Sequence, residues 1–572
     1  MTESPTQAST VFNRRDWITA VIFLLAALAV RVPFRSEYAY HWDSAEFALA
    51  IREYNVALSQ PHAPGYFLYV MAGRLMNLFI GDPHASLVWL SVVCGSALVS
   101  VLYLLGTAMF GRRAGIVAAL LGVTSPQLWF YSGVALTYIV DGFLVCSLVL
   151  YCWRAMQRGG TWMDAVLIGG WLAVVGGVRQ QTVPALVPLV TWVFWKFECP
   201  RFAKLAVAAV VSVVLAMMWF IPMVSISGGL ALYLEIVRRQ AVNTAPVTWL
   251  GGGWDALVWN VFFTGVFCAD GLMLGGPVLA AALFYRVSGA NAQRTKTWDK
   301  GNGLALHTVL IWVVSVATMG IAVSFTIWPG YVLNFLPGLI LLAAAAIASL
   351  RARSARVIVI CVVCAVNIFA FLAWPTRWDG VFFGLGRTAR EIQNHDRTIS
   401  TTIRILRERF SPRDVMICHA LEYLPFGMRQ FQLHLPEFDQ YLMARDKVMV
   451  TPSGRRMLSI REGQLRFVAG LDTDEKRTII LIVPPGRQLN EFGPYCDVER
   501  AILLPDSDGI VYTLDPKWMF SVGRDPHPSG SRTGDPNLTG AGLVVFQQAA
   551  EMLTELRNLG CDHHLAIGLS AM

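Results

Sequence analysis

The chain is poor in charge: Asp, Glu, Lys and Arg make up only 15% of its 572 residues, against 55% hydrophobic residues and a mean hydropathy of +0.51. A soluble domain of this length could not hide so much apolar surface, so a water-soluble enzyme is excluded and an integral membrane protein is predicted. Cysteine is sparse as well. The ten cysteines are spread singly except Cys361 and Cys364, which lie inside an apolar run and read as helix-packing thiols rather than zinc ligands in a loop. No small-residue cleavage site follows the apolar stretch behind Arg14 and Arg15, so that stretch is expected to persist as an uncleaved first helix. There is no internal repeat.

The net charge of +8 raises the question of a nucleic-acid partner. Residues 375–572 carry 23 Lys+Arg against 24 Asp+Glu, leaving 23 of the 46 basic and 14 of the 38 acidic residues to the apolar half. That excess falls in short loops between apolar runs, where it sets topology; no nucleic-acid partner is expected.

Apolar runs near 17–33, 85–110, 114–131, 134–153, 163–178, 183–197, 203–224, 256–285, 304–327, 331–350 and 356–374 predict about eleven spans, with 256–285 long enough to kink at Gly271 or split. An N-terminus inside, residues 1–16, places 16 basic residues in cytoplasmic loops against seven outside. That orientation requires Gly65–Ile80, broken by Arg74 and Asn77, to lie along the interface rather than cross. The transmembrane domain then covers 17–374, with a first outer loop at 34–84 and a further outer loop at 225–255. Residues 375–514 are expected to form an extracytoplasmic α/β domain. It would begin with an amphipathic helix over Thr388–Phe410 and continue with strands at Asp414–Cys418, Lys447–Val450, Thr478–Val483 and Gly509–Thr513. The Pro/Gly/Ser/Asp-rich composition of the tail, 515–572, predicts little fixed structure apart from a short helix near Ala541–Leu556.

Ionisable groups at a lipid boundary are costly unless they face a cavity or a partner, so each is a candidate for function. Asp43 and Glu46 lie three apart, and a helix over Ser44–Val56 would aim both carboxylates from one face. Nineteen residues past Asp43 comes His62-Ala63-Pro64-Gly65-Tyr66, a turn with histidine and tyrosine donors at the start of the interfacial helix. Asp141, after Tyr131 and Tyr138, is expected level with Asp43; its alternative reading is a hydrogen-bonded acid holding two helices together. Arg179, with Gln180 and Gln181, ends the fifth span on the side that topology makes unfavourable for cations, which an anion would explain, as would snorkelling to the interface. Arg238 and Arg239 in the 225–255 loop could contact phosphate or sugar, or stand solvated. Tyr331 and Asn334 open the tenth span, where an aromatic interface anchor is the default.

This pattern resembles the GT-C superfamily of integral membrane glycosyltransferases. Asp43-Ser44-Ala45-Glu46-Phe47 followed by His62-Ala63-Pro64-Gly65-Tyr66 looks most like the protein O-mannosyltransferase-like group. The resemblance covers roughly residues 15–350 and implies an all-α polytopic bundle whose donor is a polyprenyl-phosphate-linked sugar. There is no Gly-rich phosphate loop on the side expected to be cytoplasmic, which disfavours a nucleotide-sugar donor. It implies that Asp43 is the general base, with inversion at the anomeric carbon. Glu46 would hold acceptor or sugar hydroxyls, and Asp141, Tyr138, Arg238, Arg239, Tyr331 and Asn334 would line the sugar and acceptor site. His62, Tyr66 and Arg179 would face the donor phosphate. A divalent cation, Mg or Mn, is compatible with these acids but not required by them. The acceptor is a protein, lipid or glycan hydroxyl, and the location a bacterial inner membrane with the active site outside. A multi-pass transporter and a non-catalytic scaffold are the competing classes; the first is disfavoured because charged positions concentrate on one face.

Overall fold

The computed structural model describes residues 12–287, 292–323, 328–373, 388–419 and 428–445, and five strands beyond. The expected strand at Lys447–Val450 and the tail 515–572 with its helix lie outside the described residues.

Each of the eleven apolar runs is mainly helical over its described residues. The bundle opens with α1 (Arg14–Arg31), α2 (Trp42–Arg52), α3 (Phe67–Ile80) and α4 (Pro83–Phe110). It continues through α5 (Arg112–Thr124), α6 (Pro126–Ser132), α7 (Thr137–Gln157), α8 (Trp162–Val178), α9 (Thr182–Trp195) and α10 (Arg201–Ile226). Next come α11 (Leu230–Thr244), α12 (Trp249–Leu272), α13 (Gly275–Val287), α14 (Ala292–Val323), α15 (Leu336–Ala348) and α16 (Arg353–Ala373). Seven helices among the described residues are long and apolar enough to cross a membrane, or eight if α5 and α6, bent by 59°, count as one broken span. That corrects the expected eleven. At 17, 14 and 13 residues, α8, α9 and α15 reach only about 20–26 Å against a hydrocarbon core of about 30 Å. The run 256–285 divides into α12 and α13 at Met273, whose φ of 45° cannot continue a helix.

The 225–255 loop is a second correction, because α11 takes up about half of it and the ends of α10 and α12 much of the rest. Leu230, Tyr233, Ile236 and Val237 recur at helical spacing, and Tyr233, Ile236 and Val237 pack on the main core.

The main core runs through α4, α7 and α15, where α4 and α5 approach closely enough that a Cβ on Gly106 would lie 2.9 Å from the Cα of Gly115. Buried Arg31 fixes the exit from α1: its Nε donates to Ser132 Oγ at 3.0 Å and its Nη2 to the Gly122 carbonyl at 3.2 Å. The outer loop therefore starts from a fixed point on the α5–α6 bend. It returns through α3, whose Leu75, Leu78 and Phe79 are exposed while Tyr69, Val70 and Gly73 face the bundle.

Beyond the bundle lies α17 (Ala389–Arg409), capped by Thr388 and burying the predicted Ile392, Ile399, Ile403 and Leu406. Its C-terminal half packs with Val415, Ile417, Phe431, Leu435 and Phe438 in a second, smaller core. The strands β1 (Val415–His419), β2 (Asp439–Arg445), β3 (Leu458–Arg461), β4 (Gln464–Phe467), β5 (Thr478–Val483), β6 (Cys496–Leu503) and β7 (Ile510–Leu514) line up in the order β4-β3-β2-β1-β5-β7-β6. β1 runs parallel to β2 and β5, and α18 (Met428–His434) lies between β1 and β2 in sequence.

Candidate active site

The acid pair stands on α2, as its spacing predicts. His41 is the N-cap, its Nδ1 accepting from the Asp43 backbone N–H at 3.2 Å, so Asp43 falls in the first turn and Glu46 one turn on. Both carboxylates meet His62. Glu46 Oε2 lies 2.7 Å from His62 Nδ1, and Asp43 Oδ1 lies 3.6 Å from the same nitrogen. The two acids differ in access: the Glu46 side chain is 3% exposed and the Asp43 side chain 17%. Only Asp43 is open enough for a substrate hydroxyl to reach it. Burial would lower the His62 pKa, but Asp43 and then Glu46 overcome it and hold the imidazole up at about 9, so it carries a proton at neutral pH.

The turn that presents His62 is held on three sides. Tyr54 Oη donates to the Gly65 carbonyl at 2.6 Å, while Tyr233 Oη and Gln180 Nε2 each donate to the Pro64 carbonyl at 3.1 Å. Gly65 has φ +112°, and a Cβ there would meet Met223 Sδ at 2.7 Å and Tyr54 Oη at 2.9 Å. Glycine is required for both reasons. Tyr66 follows in the left-handed region and packs its ring edge-on to His62 and Phe47.

Arg179 is the second pole. It caps α8, is 4% exposed, and holds its guanidinium 4.4 Å from the Tyr138 ring centroid and 4.5 Å from that of Tyr331. Gln181, with its amide oxygen turned to the guanidinium, accepts from Nε and Nη2 at 3.1 and 3.2 Å. Asp141 is buried on α7, accepts from Thr182 Oγ1 at 2.8 Å, and lies within electrostatic reach of Arg179 and beside Asn334. Tyr331 and Asn334, for which an interface anchor was the default, thus join Tyr138, Asp141 and Arg179 in one buried cluster. Tyr66 and His62 interact electrostatically with Arg179, which links the two poles.

Arg238 and Arg239 do not join them. Both are exposed on α11 and pair with Glu235 at 3.1 and 2.7 Å. Sequence reasoning passed over His41, Tyr54 and Thr182. The nearness of His41 to Asp43 was a usable signal; the contacts of Tyr54 and Thr182 carry none in the sequence.

As to a metal, Asp43, Glu46 and His62 offer one ligand atom each, all within 4.8 Å of one another. Two carboxylates and an imidazole suit a cation that accepts nitrogen, such as Mn²⁺, better than Mg²⁺, which prefers oxygen alone.

No family model matches the chain, and neither does any curated protein. Solved structures do. ArnT from Cupriavidus metallidurans bound to undecaprenyl phosphate is similar at 14% identity and a TM-score of 0.52, over 88% of this chain and 98% of that one. The same protein in its apo state gives 15% identity and 0.49, covering 87% and 98%. The archaeal oligosaccharyltransferase AglB from Archaeoglobus fulgidus, in complex with an inhibitory peptide and a dolichol-phosphate, gives 13% and 0.43, covering 75% and 64%. The likeness to undecaprenyl-phosphate-bound ArnT carries the argument, and it is one of fold: the chain is an integral membrane protein whose helical fold is similar to that of ArnT.

Proposed function

We propose that this protein is a membrane glycosyltransferase that moves a sugar from a polyprenyl-phosphate-linked donor to an acceptor hydroxyl. The observation that carries the reading is the pairing of an accessible carboxylate, Asp43, with a buried, aromatic-walled cation, Arg179, across a shared histidine and tyrosine. An acid that accepts a proton and a fixed cation that receives a leaving phosphate are the two charges that the transfer needs. That ArnT, whose fold this chain shares, binds undecaprenyl phosphate supports the donor class.

In this mechanism Asp43 takes the acceptor proton as the oxygen attacks the anomeric carbon from the face opposite the phosphate, and the sugar inverts. Glu46, buried against His62, fixes the imidazole and through it the surroundings of Asp43. Arg179 and Tyr66 receive the charge growing on the departing phosphate, and the protonated His62 adds to that positive field. Tyr138, Asp141, Tyr331 and Asn334 line the sugar side. Arg238 and Arg239, exposed and paired with Glu235, take no part in the transfer step. A divalent cation held by Asp43, Glu46 and His62 would take the place of the His62 proton and supply the positive charge there itself. The sugar is mannose or another hexose or pentose, as in the group that the acid motif resembles, and the acceptor is a protein, lipid or glycan.

The same reading places the N-terminus inside a bacterial inner membrane, and the site and an α/β domain over 375–514 outside.

The test is sugar transfer in proteoliposomes from a radiolabelled panel of polyprenyl-phosphate sugars, comparing the intact protein with Asp43→Asn. Turnover by the intact protein and a loss of at least roughly 10³-fold in the variant is expected. Equal turnover removes Asp43 from the chemistry; no turnover with any donor, acceptors being supplied, returns the transporter reading.

A further inference from the structure

The irregular stretch Glu37–Tyr40 leads directly into α2 and Asp43, and its polar groups are satisfied from the far end of the chain. Asp396 on α17 accepts from two successive backbone N–H groups, Glu37 at 2.8 Å and Tyr38 at 3.1 Å. The Ala39 N–H donates to His434 Nε2 on α18 at 3.3 Å, and the Ala39 carbonyl accepts from His395 Nε2 at 3.0 Å. Tyr40 Oη donates to Glu391. Four consecutive residues are therefore gripped by four side chains more than 350 positions away.

The other half of the site is approached in the same way. Arg429, buried on α18, donates from Nη2 to the Leu58 carbonyl at 3.1 Å, four residues before His62. The two helices are themselves tied, with Arg407 on α17 donating to the His434 carbonyl at 3.0 Å and to Glu437 at 2.8 Å. Tyr38 completes the junction by packing on the smaller core.

We infer that α17 and α18 form a clamp whose side chains Glu391, His395, Asp396, Arg429 and His434 are positioning residues for the acid site, setting the separation of Asp43 from His62. The inference rests on the proposed transfer only for its kinetic consequence. Residues 37–40 have no regular secondary structure, and the segment before His62 has only a single 3-10 turn at Val56–Leu58 and an Asn55–Gln60 bridge, whereas α2 and α3 are anchored to the bundle. The clamp therefore grips the entry to α2, which carries Asp43, and the approach to the turn that carries His62. The protonation states agree with this arrangement. Burial keeps His395 near 4 and His434 near 3, so at neutral pH one imidazole donates and the other accepts, as the contacts to Ala39 require. A 1 Å displacement at a reacting centre costs on the order of 10²-fold in rate.

The test uses the full-length protein in proteoliposomes with Asp396→Ala, Asp396→Asn, Arg429→Lys and Glu391→Gln, measuring kcat and the donor KM together with amide hydrogen exchange. Asp396→Ala is expected to lower kcat roughly 10- to 100-fold with donor KM within about twofold, and Asp396→Asn, which keeps one acceptor oxygen, to fall between. Exchange should rise in 36–47 and 55–66 while peptides of α4 and α7 stay protected. Combined with Asp43→Asn, Asp396→Ala should cost little more, because the group it positions is already gone. Unchanged kcat in all four variants overturns the inference, as does exchange that rises throughout the bundle. If the intact protein transfers no sugar from any donor, the proposed function falls but the clamp does not: exchange at 36–47 still decides it, and no change there in Asp396→Ala refutes it. Should Asp396→Ala fail to fold, Glu391→Gln, which can still accept from Tyr40, and Arg429→Lys carry the same measurements.

Discussion

Replacing Arg179 with glutamine tests the charge logic of the site most directly. The guanidinium is almost wholly desolvated, stacked between two tyrosine rings at 4.4 and 4.5 Å and bonded to Gln181. No reorganisation is then needed when charge grows on a leaving phosphate. Loss of one such preorganised donor costs about 3–4 kcal/mol of transition-state stabilisation, so kcat should fall roughly 10²- to 10³-fold. Arg179→Gln also strips Asp141 of its counter-charge. Breaking a buried contact pair costs about 3–5 kcal/mol, and less here because Asp141 keeps its 2.8 Å bond from Thr182 and is not in direct contact with the guanidinium. Activity could thus fall through stability alone, and the double variant Arg179→Gln/Asp141→Asn separates the two effects. It removes the orphaned carboxylate, so its melting temperature in detergent should return most of the way to that of the intact protein. Its turnover should stay at least about 10²-fold down. Arg179→Lys keeps the charge but loses the planar fork and should lie between. A double variant that melts normally and transfers sugar within about threefold of the intact protein would refute a role for Arg179 at the phosphate.

Two further outcomes follow from the loop and its clamp. Gly65→Ala should destabilise the protein by about 1–3 kcal/mol and depress transfer, read as a lower melting temperature, because its φ of +112° is disfavoured for alanine and its Cβ would strike Met223 and Tyr54. Stability should also decline as pH rises from about 6.5 to 8. Burial raises Glu391 to about 8 and Asp396 to about 7, so the folded state holds protons that the unfolded chain releases near pH 4, and that advantage is lost as pH climbs to the folded values. Below pH 6.5 the fall is offset by His395 and His434, held near 4 and 3, which must be neutral in the fold and gain stability as pH rises to their ordinary value. Above it Glu391 alone is worth about 2 kcal/mol. A melting-temperature profile of Glu391→Gln as steep as that of the intact protein between pH 6.5 and 8 would refute the assignment.

What the sequence disclosed and what it withheld divide along a physical line. Apolar length and basic-loop bias are local sums over neighbours, so the eleven helical segments and the surface-length α3 could be read directly. The Asp43–Glu46 face could be read for the same reason, since a helix fixes residues three apart whatever surrounds it. Span count was less legible, because a helix of 13–17 residues reveals its shortfall only once its ends are known. Tyr138 and Tyr331 stack on one guanidinium from positions 193 residues apart, and a periodicity argument has no access to such a pair. The clamp was hidden by a more general ambiguity. Periodicity showed which face of α17 was apolar, and it carries no information on what the remaining face, with Glu391, His395 and Asp396, meets. A polar helix face pointing at water and one pointing at unpaired backbone N–H groups have the same composition. The difference lies in the partner, here a loop with no secondary structure to satisfy its own hydrogen bonds. Irregular backbone beside a catalytic acid must be satisfied by something, and the amphipathic helix of a remote segment was the place to look.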